Sequence, residues 1–452
     1  MSVASIEEAK SRAWRKGLRL TQKTQKPKVC LANVLHVLAL HPAWRGVIAY
    51  DAFAEGVVCL REPPVRQQDD PGAPMVGDWT DEHSVRTSAW IACEADFDAP
   101  SKMIDQAVTT LARKYITHPV RDYLLSQEWD GTERLERVLP TYFGAADSTY
   151  SRAIGARWMI SAVARVMQPG CQADCMLVIE GKQGGGKSTG LEALCEERQW
   201  FADTGISIGD KDSYQNLRRK WIYEFGELDA IKGREATRVK NFVSARSDHY
   251  RPSYGTRSRD FPRQVVFCGT TNEEAYLVDR TGNRRFWPVR SERPVAVDAI
   301  RRDRNQLWAE AVTRFKAGAA WHVDTEELRR LCEAEQADRQ APDDWVPIVA
   351  EWLKRPTLPD GAHERRLLDT TEGVTTDAVL LGAIGMRPAE IHHAQSTRAG
   401  RVLRELGLEP VQARRDGGRV RLYRRPVTAD TASASGCDAS PVTPNQQQLG
   451  LQ

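Results

Sequence analysis

No apolar stretch of this 452-residue chain approaches the roughly 18 residues that a membrane-spanning helix needs. The opening MSVASIEEAKSRAW also lacks the apolar segment of a secretory signal. Both absences argue against a helical membrane protein or an exported one, and the expected location is the cytosol. Paired cysteines are missing too. The nine cysteines are scattered, and Cys171 and Cys175 form a lone CxxxC with no second pair and no nearby histidine. That spacing disfavours zinc and favours reduced thiols. Nor does one sign of charge dominate: the formal balance is +3, so contact with a polyanion has to rest on local patches. No internal repeat with a period of roughly 20 to 50 residues is found.

What is present is enough chain for two or three domains. Residues 1 to about 125 mix short apolar runs, such as Val57-Val58-Cys59-Leu60, with the polar break PPVRQQDDPGAP and a helical SKMIDQAVTTLARKY, a small mixed domain. From about Trp129 to Gln168 the apolar spacing suits helices, which Pro169-Gly170 ends. Residues 171 to about 325 alternate short apolar strands with longer segments, the signature of an α/β layer arrangement.

Within that region GKQGGGKST, residues Gly181 to Thr189, follows the apolar run Met176-Leu177-Val178-Ile179 and precedes a helix-compatible segment. This is the GxxxxGK[ST] phosphate loop in the context it requires. Gly184, Gly185 and Gly186 let backbone N–H groups wrap a phosphate, Lys187 reaches the β- and γ-phosphates, and the Ser188 hydroxyl binds Mg²⁺. ATP is the default nucleotide. Hydrolysis needs an acid on a neighbouring strand, and KWIYEFGELDAI supplies it. Trp221-Ile222-Tyr223 reads as a strand, with metal coordination assigned first to Glu224 and water activation to Glu227. The two roles are exchangeable at this stage, and Asp229 is a third candidate. A further strand, Val265 to Gly269, ends in Thr270-Thr271-Asn272. Asn272 fits a γ-phosphate sensor because its amide can bond both phosphate and water. In DRTGNRRFWPV, the turn at Gly282-Asn283 presents Arg284 and Arg285. Either suits a finger that stabilises charge on a transferring phosphoryl group; binding DNA or a structural carboxylate is the alternative.

The order GKQGGGKS, YEFGELDA, TTN and DRTGNRRFWPV, with YLLSQEWDGTERLERVLPTYFG and PGCQADCMLVIEG upstream, resembles the virulence-associated protein E family of phage and mobile-element ATPases. The resemblance covers about residues 115 to 320. That family is similar to superfamily 3 helicases and phage primase-helicases. It implies an AAA+-like ring motor, a hexamer, that binds single-stranded DNA in its channel in a bacterial host cytosol. The site at Lys187 of one subunit would then be touched by the Arg284/Arg285 region of the next. It also points to SARSDHYRPSYGTRSRDFPR as a pore hairpin, with Arg251, Tyr254, Arg257 and Arg259 as DNA contacts and Lys240 just before it. Many relatives carry a primase with clustered acids; here Asp96 and Asp98 stand without partners, so the chain reads as the motor without the primase.

The expected fold class is α/β: an AAA+-like P-loop ATPase core, an α-rich N-terminal region and a small winged-helix-like C-terminal domain. The segments run 1–115 (N-terminal), 116–170 (helical collar), 171–325 (ATPase core), 326–374 (helical linker), 375–426 (basic module) and 427–452 (a tail too poor in large apolar residues to order itself). Between Arg387 and Arg425 ten arginines face four acids. There a helix precedes a hairpin turning at Asp416-Gly417-Gly418, with Arg398, Arg401, Arg404, Arg415, Arg419 and Arg421 as the contacts of a winged helix. Gln448 to Leu451 in the tail resemble the peptide with which replication proteins engage the bacterial sliding clamp. The leading functional reading is an ATP-driven helicase or translocase on single-stranded DNA. A nucleotide-switched DNA-binding regulator and a P-loop phosphotransferase are the alternatives.

Overall fold

A computed structural model describes residues 13–65, 74–205, 211–226, 234–251, 257–277, 282–341, 343–360, 364–415 and 418–426. The chain divides into two compact units, Met1–Gln340 and Ala341–Gln452.

The first unit opens with the short 3₁₀ helix Ala13–Gly17 and a turn at residues 19–28, followed by the helix Leu31–Leu40, β1 (Ile48–Asp51), β2 (Gly56–Cys59), β3 (Gly77–Asp78), the helices Asp81–Ala95 and Ser101–Ala112, and β4 (Ile116–Thr117). The four strands form one sheet in the order β3-β2-β1-β4, so this region is mixed α and β, as its segments read, rather than the α-rich one named in the expected fold class. Its core follows from spacing. Ile104, Ala107, Val108 and Leu111 recur at helical intervals on one face and meet Val34, Val37 and Ile48.

The helix Thr149–Met167 leads into β5 (Met176–Glu180), the helix Lys187–Ala193, β6 (Phe201–Ala202) and β7 (Ile222–Phe225). The helix Arg234–Ser244, β8 (Ser247–Tyr250), β9 (Arg259–Pro262), β10 (Val266–Thr271), β11 (Phe286–Arg290) and the helices Val297–Lys316 and Glu326–Asp338 follow. Five strands form one sheet in the order β11-β5-β10-β7-β6, and every neighbouring pair is parallel. Strands covered on both faces must be apolar throughout, which explains the run MLVIE. Leu177 and Ile179 enter one core, while Met176 and Val178 enter the other with Val239, Phe242 and Val243. Trp158 in the long helix reaches across to donate to the Phe267 carbonyl at 2.9 Å.

In the second unit the helix Trp345–Lys354 precedes the ribbon of β12 (Thr357–Asp360) and β13 (Glu364–Leu367). The helices Thr376–Gly382 and His393–Glu405 and the hairpin of β14 (Glu409–Arg415) and β15 (Gly418–Arg424) complete it. Val349, Trp352, Val379, Leu380, Val402, Leu403 and Tyr423 share its core. The stretch read as a linker therefore holds two helices with different allegiances: Leu328 and Cys332 pack in the first unit, Val349 and Trp352 in the second. Among the described residues no helix is long and apolar enough to cross a membrane.

Candidate nucleotide site

The loop Gly181–Gly186 leaves the C-terminal end of β5 and turns directly into the helix Lys187–Ala193. Gly184 (φ +77°) and Gly186 (φ +80°) hold left-handed backbone, which other residues enter only at a cost. Lys187 is buried. Its ammonium donates to the Gly181 carbonyl at 2.7 Å, the Lys182 carbonyl at 2.9 Å and Asn272 Oδ1 at 2.9 Å. Burial pulls its pKa below the usual lysine value, with the nearby Glu224 charge pulling the other way.

Glu224 lies inside β7 rather than beyond it, and it is 2% exposed. Its Oε1 accepts from Ser188 Oγ at 2.7 Å and from Thr270 Oγ1 at 2.5 Å. Its Oε2 is buried with no hydrogen-bond partner. A bare carboxylate oxygen in the interior calls for a cation or a donor. With the Ser188 hydroxyl alongside, it forms an oxygen donor set suited to Mg²⁺. Three segments far apart in sequence thus converge at the C-terminal ends of β5, β7 and β10. Thr189 is exposed at the start of the helix. Glu227 and Asp229 lie outside the described residues.

Sequence reasoning missed the support beneath this site. Glu180, the last residue of β5, is buried and receives Arg339 Nε at 2.9 and 3.1 Å on its two oxygens and the Tyr276 hydroxyl at 2.9 Å. Burial, with the Glu180 charge beside it, pushes the Tyr276 hydroxyl far above the usual phenol value, so it remains a donor. The network ties the root of the phosphate loop to the segment that follows Asn272. Removing the arginine leaves a buried charge uncompensated, so Arg339→Met is expected to cost about 3 to 5 kcal/mol. Urea denaturation would register this as a lower midpoint with an unchanged slope; a shift under about 1 kcal/mol would mean that water replaces the guanidinium.

The candidate finger residues stand elsewhere. Phe286, at the start of β11, pairs with Met176 at the start of β5, so Arg284 and Arg285 lie at the end of the sheet opposite the phosphate loop. Arg284 is exposed, and Arg285 donates to Ser244 Oγ. Lys240, expected as a DNA contact, is buried: it bonds Asn283 Oδ1 at 3.0 Å and lies 5.7 Å from the Phe286 ring centroid. Its aliphatic stem and charge are thus used inside the protein, which corrects the surface role expected from its helix.

Arg251 and Arg257 are exposed beside the β8–β9 ribbon. Arg259 is paired with Glu55 at 3.4 Å, and Tyr254 lies outside the described residues. The ribbon is rooted by Arg263, which grips the buried Asp248 at 2.8 and 2.6 Å. In the C-terminal unit, Arg398 is held by Asp343 at 2.6 Å and stacks 4.0 Å from the Trp345 ring centroid, so it is a structural residue there. Arg404 bonds its own helix at the Gly400 carbonyl, whereas Arg419 and Arg421 are exposed and Arg401 is half-buried. The helix and the basic hairpin are both present; the side chain of Arg415 and residues 448–451 fall outside the described residues.

Asp96 closes a helix in left-handed backbone (φ +60°), and both it and Asp98 are exposed. Cys171 and Cys175 are free thiols, and no group of three or more metal-ligating side chains occurs among the described residues.

Residues 124–341 match the model of the virulence-associated protein E-like domain. Among solved structures, an apo structure of the NrS-1 C-terminal region is 11% identical, covering 87% of this chain and 98% of that one, with a TM-score of 0.42. Its A-form apo structure is 12% identical, covering 67% and 78%, with a TM-score of 0.36. No curated protein matches the chain.

Proposed function

We propose, from the premise that residues 124–341 are a virulence-associated protein E-like domain, that the chain is an ATP-hydrolysing DNA motor. It is a superfamily 3-like helicase or translocase with an AAA+-like core. It works as a ring, a hexamer by analogy, on single-stranded DNA during replication of a phage or other mobile element.

The observation that carries this reading is the convergence of Lys187, Ser188, Glu224 and Asn272 at one end of a parallel sheet. The chain leaves β5 toward β6 on one side, and leaves β10 toward β11 on the other. Ligands of open α/β sheets bind at such a switch point, outside the carboxyl ends of the strands. The backbone of Gly184–Gly186 and the Lys187 ammonium would bind the phosphates; Ser188 and Glu224 Oε2 would hold Mg²⁺. An ion held there would supply positive charge to the phosphates. Asn272 would sense the γ-phosphate, and Glu227 would orient the attacking water.

β5 spans five residues, so the start of β11 is roughly 13 Å from the root of the phosphate loop. Arg284 and Arg285 are therefore poorly placed for their own site and suited to a neighbour's. Arg251 and Arg257 remain available to grip DNA phosphates.

The test is steady-state ATP hydrolysis with and without single-stranded DNA over a salt series. The expected result is a rate stimulated several-fold by DNA, with the stimulation fading as salt rises. Hydrolysis that ignores DNA would rule out the motor and bring the phosphotransferase and the regulatory switch forward.

A further inference from the structure

A second cationic element lies far from the nucleotide site in sequence. Residues 13–28 carry six cations and no anion, although the whole chain's balance is only +3. A charge run of this kind is ordinarily a solvated stretch of loop. Here it is a built hairpin. Leu20 pairs with Pro27, the Thr21 and Lys28 amides bond the Lys26 and Arg19 carbonyls at 2.8 Å, and Gln25 turns the chain in left-handed backbone (φ +53°).

Asn33, 1% exposed, pins the open end. Its Oδ1 accepts the Arg19 amide at 2.8 Å, and its Nδ2 donates to the Arg19 and Lys28 carbonyls at 2.9 and 2.8 Å. Arg19, Lys23, Lys26 and Lys28 are exposed, and among the described residues none of their side chains has an ion pair or hydrogen bond. Arg19 and Lys28 sit opposite each other across the ladder, a like-charge pairing that opposes the hairpin. A buried asparagine satisfied three times over holds together an element whose own charges push it apart. An anionic partner that bridges those charges would remove the penalty.

Residues 15–28 contain no aromatic side chain, so the element has no platform on which single-stranded bases could stack. What remains is a pinned backbone carrying point charges suited to backbone phosphates. We propose that the hairpin Arg19–Lys28 is a wing that binds the phosphate backbone of a nucleic-acid double helix, with Arg19, Lys23, Lys26 and Lys28 as its contacts. The proposal does not depend on the nucleotide reading.

The test compares the full-length wild type with the Lys23→Ala/Lys26→Ala/Lys28→Ala variant, by fluorescence anisotropy on labelled duplex DNA, duplex RNA and single-stranded DNA. The three replaced side chains are exposed and make no ion pair or hydrogen bond among the described residues, so the fold is expected to be unchanged. Each lost phosphate contact lowers the slope of log affinity against log salt by about 0.9 on duplex DNA. Raising salt from about 50 to 200 mM should therefore cost the variant about 40-fold less duplex affinity than it costs the wild type. The two duplexes distinguish DNA from RNA as the source of the phosphates. An unchanged duplex slope overturns the proposal, and so does a reduction confined to the single strand. Binding to vesicles containing anionic phospholipid, lost in the variant while duplex binding persists, would overturn it in favour of a membrane surface. Hydrolysis without DNA, measured on the same two proteins, reports the nucleotide reading separately.

Discussion

Lys187→Ala protein is expected to hydrolyse ATP at about one hundredth to one thousandth of the wild-type rate. The ammonium is held at the mouth of the loop by two of the loop's own carbonyls and by Asn272, within 3 Å of each. With a nucleotide bound as proposed, it would meet the charge growing on the β- and γ-phosphate oxygens. Removing one preorganised donor from such a position costs about 10²- to 10³-fold in turnover. On the proposed reading Lys187 would also help to bind the ground state, so kcat/KM should fall further than kcat. A thousandfold is about 4 kcal/mol of transition-state stabilisation. Steady-state assays on both proteins, with urea denaturation to verify the fold, decide the matter. A variant within tenfold of the wild type would remove the loop from the chemistry.

Glu224→Gln should separate activity from stability. The carboxylate is almost fully buried, two hydroxyls share one oxygen, and the other oxygen has no partner. For the metal-free fold this is an unfavourable way to bury charge. A neutral amide of the same shape should leave stability unchanged or raise it by about 1 kcal/mol. Turnover should fall by about 10²-fold or more, because the only charged oxygen donor that the described site offers Mg²⁺ is gone. The joint outcome is diagnostic, since a damaged fold loses both properties together. Retained turnover, or stability falling in step with activity, would mean that Glu224 is structural.

Much of this site is legible in the sequence because its parts are local. Glycines at 184 and 186 meet a backbone demand, and Glu224 and Asn272 sit on or just beyond apolar strands where a nucleotide needs them. What sequence cannot display is which strand lies beside which. Parallel strands joined by crossovers leave spatial order free, so the placement of β5 between β10 and β11, and with it the distance from Arg285 to the loop, appears only in three dimensions. Partners remote in the chain are equally hidden. Arg339 meets Glu180 across 159 positions, and Arg398 is claimed by Asp343 from 55 positions away. Lys240 fails for the same reason: helical periodicity assigns a face, but not the asparagine and phenylalanine waiting opposite it. The Arg19–Lys28 hairpin had the opposite fate. Its signal, cations without a single acid, is plain in the sequence and is averaged away by the near-neutral total.

The opposed ends of the five-stranded sheet carry a consequence for symmetry. On the proposed reading, a protomer with its candidate phosphate site at one end of the sheet and Arg284 and Arg285 at the other would offer a socket and a plug at opposite ends. A two-fold pair would complete both sites only if one contact patch held both ends, with the protomers side by side and antiparallel. With the two ends on separate patches, a shared arginine would instead require a head-to-tail, heterologous contact, and such contacts either close on themselves or run on as filaments.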